Sequence, residues 1–443
     1  MESVLRYLDW TSVGLALLGG LLSLVLLEIF RFNSFRRRFP PGPKSLPYVG
    51  NVMQLFKEPM DLIRSMENYG EMSCLFVGRK PMIVLNKMEI VKEAFVNNGS
   101  VFSGRPQVPL LEWVTNGLGI VMAPYGNSWK QQRRFALHTL RDFGLGKKSV
   151  EERVAEEARY LVEEMLKHEG KAFFPIHPIM NSVSNIICSI VFGDRFDYED
   201  KRFAHLLKLL NEYVGLPGSM IGQQKAMEES TFHEENMIIS TTDLFLAGTD
   251  TTATTLRWGL IYMMDHPDVQ ERCHEEIVRV LGFDRSPCMD DRAQLPYTHA
   301  TIHEILRCSN IIPIGPPHET TQSTQLHGYH IPAGTQILAN STAIMTDRNH
   351  WKHPDVFNPE NFLDEKGQFC KNDFFLPFSM GQRVCLGESL ARTELFIFFT
   401  SLIQRLKFSW PPGEPRPNMN GIMGLVRCPF PYNTICSSRE TTH

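Results

Sequence analysis

Phe378-Ser-Met-Gly381-Gln-Arg383-Val-Cys385-Leu-Gly387 lies near the end of a 443-residue chain, and the rest of the sequence is organised around it. Phe, Gly, Arg, Cys and Gly stand there at fixed offsets about one cysteine. At about one in twenty per position, chance supplies such a run at roughly 3 × 10⁻⁷ per start, or about 10⁻⁴ over the whole chain. A lone cysteine reads as a small buried hydrophobe. One with these four partners does not. Glycines allow a tight turn because they tolerate positive φ and carry no side chain. Amide groups freed by that turn can point at a sulfur and tune its electron donation. The run therefore suits a thiolate ligand to haem iron, with Arg383 in reach of a propionate and Phe378 shielding the sulfur from water.

Composition bounds the rest. Hydrophobic residues make up 43% and charged residues 21%, as in ordinary globular protein, and a net charge of −4 gives no reason to expect nucleic acid. Nine cysteines are scattered from Cys74 to Cys436 with no CxxC pair. The odd number and the spacing argue against a disulfide or zinc framework and favour a reducing compartment.

The N-terminus departs from this average. Residues 10–27 carry no charge, long enough to span a bilayer, and Ile29-Phe30 extend the run past Glu28. Arg31, Arg36, Arg37 and Arg38 follow, which puts the C-terminal side in the cytosol. A cleaved signal would carry its basic residues first, so the reading is an uncleaved anchor over 1–30. Pro40-Pro41-Gly42-Pro43 then stiffens a basic, proline-rich hinge over 31–47. The segments 72–77 and 82–85 alternate as a β-hairpin. Helical patterns follow over 149–167, 178–192, 201–213, 236–265, 267–281, 297–309 and 388–406, with a β segment over 325–339. The expectation is one mainly α domain over 48–443 with a small β-sheet region.

Three further runs carry chemistry. Ala247-Gly-Thr-Asp250-Thr251-Thr252 places Gly and β-branched Thr mid-way along a long helix, a local cost of the kind that marks functional sites. Thr hydroxyls there can bond back to carbonyls one turn earlier, and an acid beside an alcohol can relay protons. Trp129-Lys-Gln-Gln-Arg133 sets an indole and a guanidinium on one helix face, which alone reads as a cation–π pair. Glu304-Ile-Leu-Arg307 gives an i, i+3 ion pair, and most such pairs are solvated and worth little.

Together these runs resemble the signatures of the cytochrome P-450 family, most nearly its vertebrate microsomal family 2, over nearly the whole chain. The resemblance implies a haem-thiolate monooxygenase with haem b as cofactor and Cys385 as axial ligand. It places Trp129, Arg133, Ala247, His318, Phe378 and Arg383 at the haem. It also implies that Thr251 steadies dioxygen and Asp250 helps deliver protons. Glu304 and Arg307 match a buried structural pair whose third member, usually basic, is here Asn361. That amide weakens the network without stranding a charge. Exposed Lys130, Arg134 and Arg141 match a face that docks an NADPH-dependent flavoprotein reductase, with cytochrome b5 as a second electron donor. Substrates implied are apolar small molecules, polyunsaturated fatty acids or xenobiotics. The location implied is the endoplasmic reticulum membrane, with the catalytic domain facing the cytosol.

The resemblance breaks at one place. Between Tyr213 and Asn236 stand 22 residues where family members carry several tens more, the lid over the substrate pocket. The lid is thus expected to be shortened near 214–235. A haem-binding but catalytically impaired isoform is the alternative reading. A thiolate-haem isomerase working without O₂ is a third, disfavoured by the intact Asp250-Thr251 pair.

Overall fold

A 27-residue helix, α1 (Trp10–Arg36), opens the computed structural model, which describes residues 10–142, 148–201, 203, 205 and 234–439. Within its span Val13–Arg36 an 18-residue window has a mean hydropathy of 2.4, long and apolar enough to cross a membrane. The helix does not stop at 30. Residues 31–36 of the expected hinge continue it, because Phe32 and Phe35 stack edge-on to Phe76 at 5.4 and 6.2 Å. Glu28 also pairs with Arg79 at 2.8 Å. Packing, not charge, sets this boundary. Pro40 and Pro41 then prevent further helix.

The hairpin β1 (Met72–Val77) and β2 (Lys80–Leu85) forms in the register Met72↔Leu85. The expected β segment over 325–339 divides. Thr324–Leu326 and Tyr329–Ile331 make a small hairpin through His327 and Gly328, both at positive φ. The remainder, Gln336–Ala339, pairs in parallel with β2, and His318–Glu319 adds the last strand of that four-stranded sheet.

The helical body follows the expected periodicities closely: α2 (Asn127–Asp142), α3 (Lys148–Leu166), α4 (Ile176–Val191), α5 (Glu234–Asp265), α6 (Pro267–Leu281), α7 (Pro296–Ser309) and α8 (Glu388–Arg405). Proline opens α6 and α7 at a position where no amide donor is needed. Gly282 and Asn310, at positive φ, close them. The 32-residue α5 packs against α4, α7 and α8 in one core that includes Trp258, Phe396 and Phe398. Most of the expected helix 201–213, and residues 214–233 of the expected shortened lid, lie outside the described residues.

Candidate active site

The Cys385 loop is built by its backbone. Cys385 N–H donates to Phe378 O at 3.0 Å, and Val384 N–H to Gly381 O at 3.1 Å. Gly381 has φ +78, and a Cβ there would lie 1.9 Å from Phe95 O. Only glycine fits. The Cys385 side chain is exposed. Burial raises its thiol, the Gly387 amide draws it back, Glu388 adds to the rise, and Arg133 and Arg392 oppose it. Phe378 lies 4.8 Å beneath the Arg392 guanidinium.

Around this loop three arginines converge. Arg383 donates to Ser103 O, Ile120 O and Ala123 O at 3.1, 3.1 and 2.7 Å and stacks 4.0 Å from the Trp129 ring. Trp129 Nε1 donates to the same Ile120 O at 3.0 Å, while Arg133 reaches Val384 O. Arg105 donates to Val121 O and Pro317 O at 3.0 Å each. Among the described residues none of the three meets a carboxylate. Burial, then the neighbouring guanidinium charges, push Arg383 down to about 8 and Arg105 to about 10. His318 Nδ1 donates to Phe102 O at 2.7 Å, and its ring stacks 4.0 Å from Phe95. Burial, with Arg105 and Arg383, lowers it to about 3, so it is neutral at pH 7. Buried cations without anions are costly. A dianionic group such as a pair of haem propionates supplies the missing charge, so these residues fit the cofactor. Arg105 escapes sequence reading because a single cation before a proline carries no pattern.

On α5, Thr251 Oγ1 donates to Ala247 O at 2.6 Å and Thr255 Oγ1 to Thr251 O at 2.9 Å, the expected back-bonding. Ala247 is exposed, so this turn faces open space. Gly248 has a plainer reason: a Cβ would sit 2.5 Å from Ile187 Cδ1, so glycine lets α4 approach. Burial raises the Asp250 carboxyl, with Arg257 and a Thr254 hydrogen bond opposing. Asp243, two turns earlier on the same face as Asp250, accepts from Ile120 N and Val121 N at 2.7 and 3.0 Å and ties the segment after Gly119 to α5. On α8, Glu394 is 1% exposed and one carboxyl oxygen lacks a partner. Burial pushes it up to about 8 against a Thr252 hydrogen bond. The sequence signal for it was a solitary acid before Leu395-Phe-Ile-Phe-Phe.

The Glu304–Arg307 pair is fully buried, at 2.7 and 2.8 Å through two nitrogens. Arg307 also donates to the carbonyls of Met345, Pro354 and Val356. Asn361 joins them: its Nδ2 donates to Glu304 Oε1 at 3.1 Å and to His353 O at 3.0 Å. Lys130, Arg134 and Arg141 lie exposed on α2 beside exposed Phe135 and Leu137.

Two stretches, 40–224 and 215–435, match the model of the Cytochrome P450 family. The chain belongs to the cytochrome P450 family. It is 40% identical over 477 residues to cytochrome P450 2J5 of Mus musculus, covering 93% of this chain and 94% of that protein. It is 42% identical over 489 residues to cytochrome P450 2H2 of Gallus gallus, covering 96% and 99%. Cytochrome P450 2J2 of Homo sapiens is 40% identical over 482 residues, 95% of each. As 96% of 443 residues is about 425, some 64 of the 489 positions aligned with 2H2 lack a residue of this P450. The two family matches meet at 215–224. Membership implies a haem cofactor held by a cysteine thiolate and monooxygenase activity.

Proposed function

We propose that this P450 is a membrane-anchored monooxygenase that oxidises apolar small molecules, fatty acids or xenobiotics, at a haem ligated by Cys385. The observation that carries the reading is the carboxylate-free cluster of buried Arg105 and Arg383 with half-buried Arg133 beside the Gly381–Cys385 turn. Bound haem would supply the redox chemistry that activates O₂ with NADPH-derived electrons. The chain's own residues do the rest. Arg105, Arg133, Arg383 and Trp129, with neutral His318, hold the propionate end. Phe378 shields the Cys385 sulfur, and the Gly387 amide tempers its basicity. Thr251 and Asp250 hold and pass protons into the space faced by Ala247, and burial, by raising the Asp250 carboxyl, makes it a readier proton carrier. Apolar α1 supports anchoring in the endoplasmic reticulum membrane, with the basic residues after it favouring a cytosolic catalytic domain. Exposed Lys130, Arg134 and Arg141 support docking of an acidic flavoprotein reductase, and of cytochrome b5. The test is turnover of arachidonic acid and of an apolar drug with purified reductase and NADPH. Product that depends on both supports the reading, and none with fully loaded haem refutes it.

A second reading, a haem-binding isoform of impaired activity, rests on the break in the family match at 215–224 and the aligned positions lacking a residue. Twenty-two residues between Tyr213 and Asn236 reach at most about 75 Å extended, enough to connect but not to roof a pocket with two packed helices. Inserting a family-length segment there should raise product per NADPH. No gain would favour the intact reading.

A further inference from the structure

Between α7 and α8 a cleft of about 270 Å³ opens beside the segment 369–375. Phe369, Phe375 and Phe396 form its floor. His303 is locked as one tautomer. Arg392 can only donate, so His303 Nε2 accepts from Arg392 Nη1 at 2.9 Å, and Nδ1–H donates to His299 O at 2.9 Å. The His299 ring stacks 3.9 Å from Phe369 and stands edge-on to His303 at 4.5 Å. Its nitrogens bond no protein group among the described residues. Burial, then Arg292 and Arg392, hold His299 down to about 4, so both imidazoles are neutral at pH 7.

The charge balance of the walls is then one-sided. Arg392 is paired with Glu388 at 2.9 Å. Arg292 and Lys371 line the same cleft, exposed, with no carboxylate partner among the described residues. A bare inorganic anion would leave the aromatic floor wet, and a neutral aromatic would leave both cations unmatched. The volume equals that of about nine waters, which suits roughly ten heavy atoms.

We propose that this cleft binds a small aromatic monocarboxylate, with the ring on Phe369 and His299 and the carboxylate between Arg292 and Lys371. The cleft adjoins the Cys385 loop through Arg392, which lies 4.8 Å over Phe378, and binding there does not depend on the proposed reaction.

Benzoate is the probe, titrated calorimetrically into the haem-loaded full chain with saturating 4-phenylimidazole, which fills the space over the iron. The expected result is one-site binding that benzyl alcohol and benzylamine do not reproduce. Arg292→Gln with Lys371→Gln should weaken it at least tenfold, and Arg292→Lys with Lys371→Arg should retain it. Both side chains are exposed, so neither pair threatens folding. Loss of benzoate binding when phenylimidazole is present, equal binding of benzyl alcohol, or unchanged affinity in the Gln pair would overturn the proposal.

Discussion

Replacing Asn361 tests how the buried Glu304–Arg307 pair is completed. The amide makes three hydrogen bonds: Nδ2 to Glu304 Oε1 at 3.1 Å, Nδ2 to His353 O at 3.0 Å, and Oδ1 from His353 N at 2.9 Å. Two are neutral, contributing about 1 kcal/mol each, and the third reaches a carboxylate and contributes about 1.5–3 kcal/mol. Asn361→Ala should therefore destabilise by about 3.5–5 kcal/mol. Glu304 is not stranded by this change, because Arg307 and the Asn358 amide still hold it. Asn361→Asp should be worse at neutral pH. Two carboxylates about as far apart as the present contact repel by about 5 kcal/mol at an effective dielectric of about 20. That repulsion raises the pKa of the introduced acid, so stability is present at low pH and lost as pH rises through the raised value. The assay is urea-induced loss of the Soret band and far-UV circular dichroism at pH 5.5 and 7.5. The predicted order at pH 7.5 is wild type, then Ala, then Asp, with the Ala–Asp gap narrowing at pH 5.5. An aspartate variant as stable as wild type at pH 7.5 would refute the reasoning.

Three further outcomes follow from the site. Gly381→Ala should abolish haem retention, because its Cβ would meet Phe95 O at 1.9 Å and φ +78 strains any side chain; a normal haem content per chain would contradict this. Glu394 is raised by burial to about 8 from 4.5, so it binds a proton in the folded state that the unfolded state releases. Stability is thus fully present below about pH 4.5 and falls as pH rises toward 8, by about 4–5 kcal/mol in total. Glu394→Gln should remove that slope, and parallel pH–stability curves for the two proteins would reject it. Thr251→Ala should leave haem binding intact but lower product formed per NADPH consumed, since the hydroxyl bonded to Ala247 O is lost; an unchanged ratio argues for a purely structural turn.

Much of this fold was legible because its punctuation is strong. Pro267, Pro296 and Gly282 mark helix ends within a residue of where they fall, and the apolar spacing of α3 and α6 fixes which faces are buried. The turn at Cys385 was legible because it requires glycine at 381, where φ is +78 and a Cβ would meet Phe95 O. What stayed hidden depends on long-range contact. The parallel pairing of β2 with Gln336–Ala339 joins residues some 250 positions apart, with no local signal. That α1 runs on to Arg36, past the charge at Glu28 and Arg31, depends on the packing of Phe32 on Phe76, which no local pattern reports. Arg105 and Glu394 are single charges whose meaning lies in what they fail to pair with, and no spacing rule reports that. Asn361, read as a weakening, makes three hydrogen bonds within the network it was thought to loosen.

The central claim is that Cys385 is the thiolate ligand of a haem held by Arg105, Arg133 and Arg383. The most direct measurement is the carbon-monoxide difference spectrum of the reduced, expressed chain, alongside Cys385→Ser and serine variants of the other eight cysteines. The account predicts a thiolate-type Soret band in the unaltered chain and in all eight controls, and its loss in Cys385→Ser alone. A thiolate-type band that persists in Cys385→Ser, or vanishes with another cysteine instead, would contradict it.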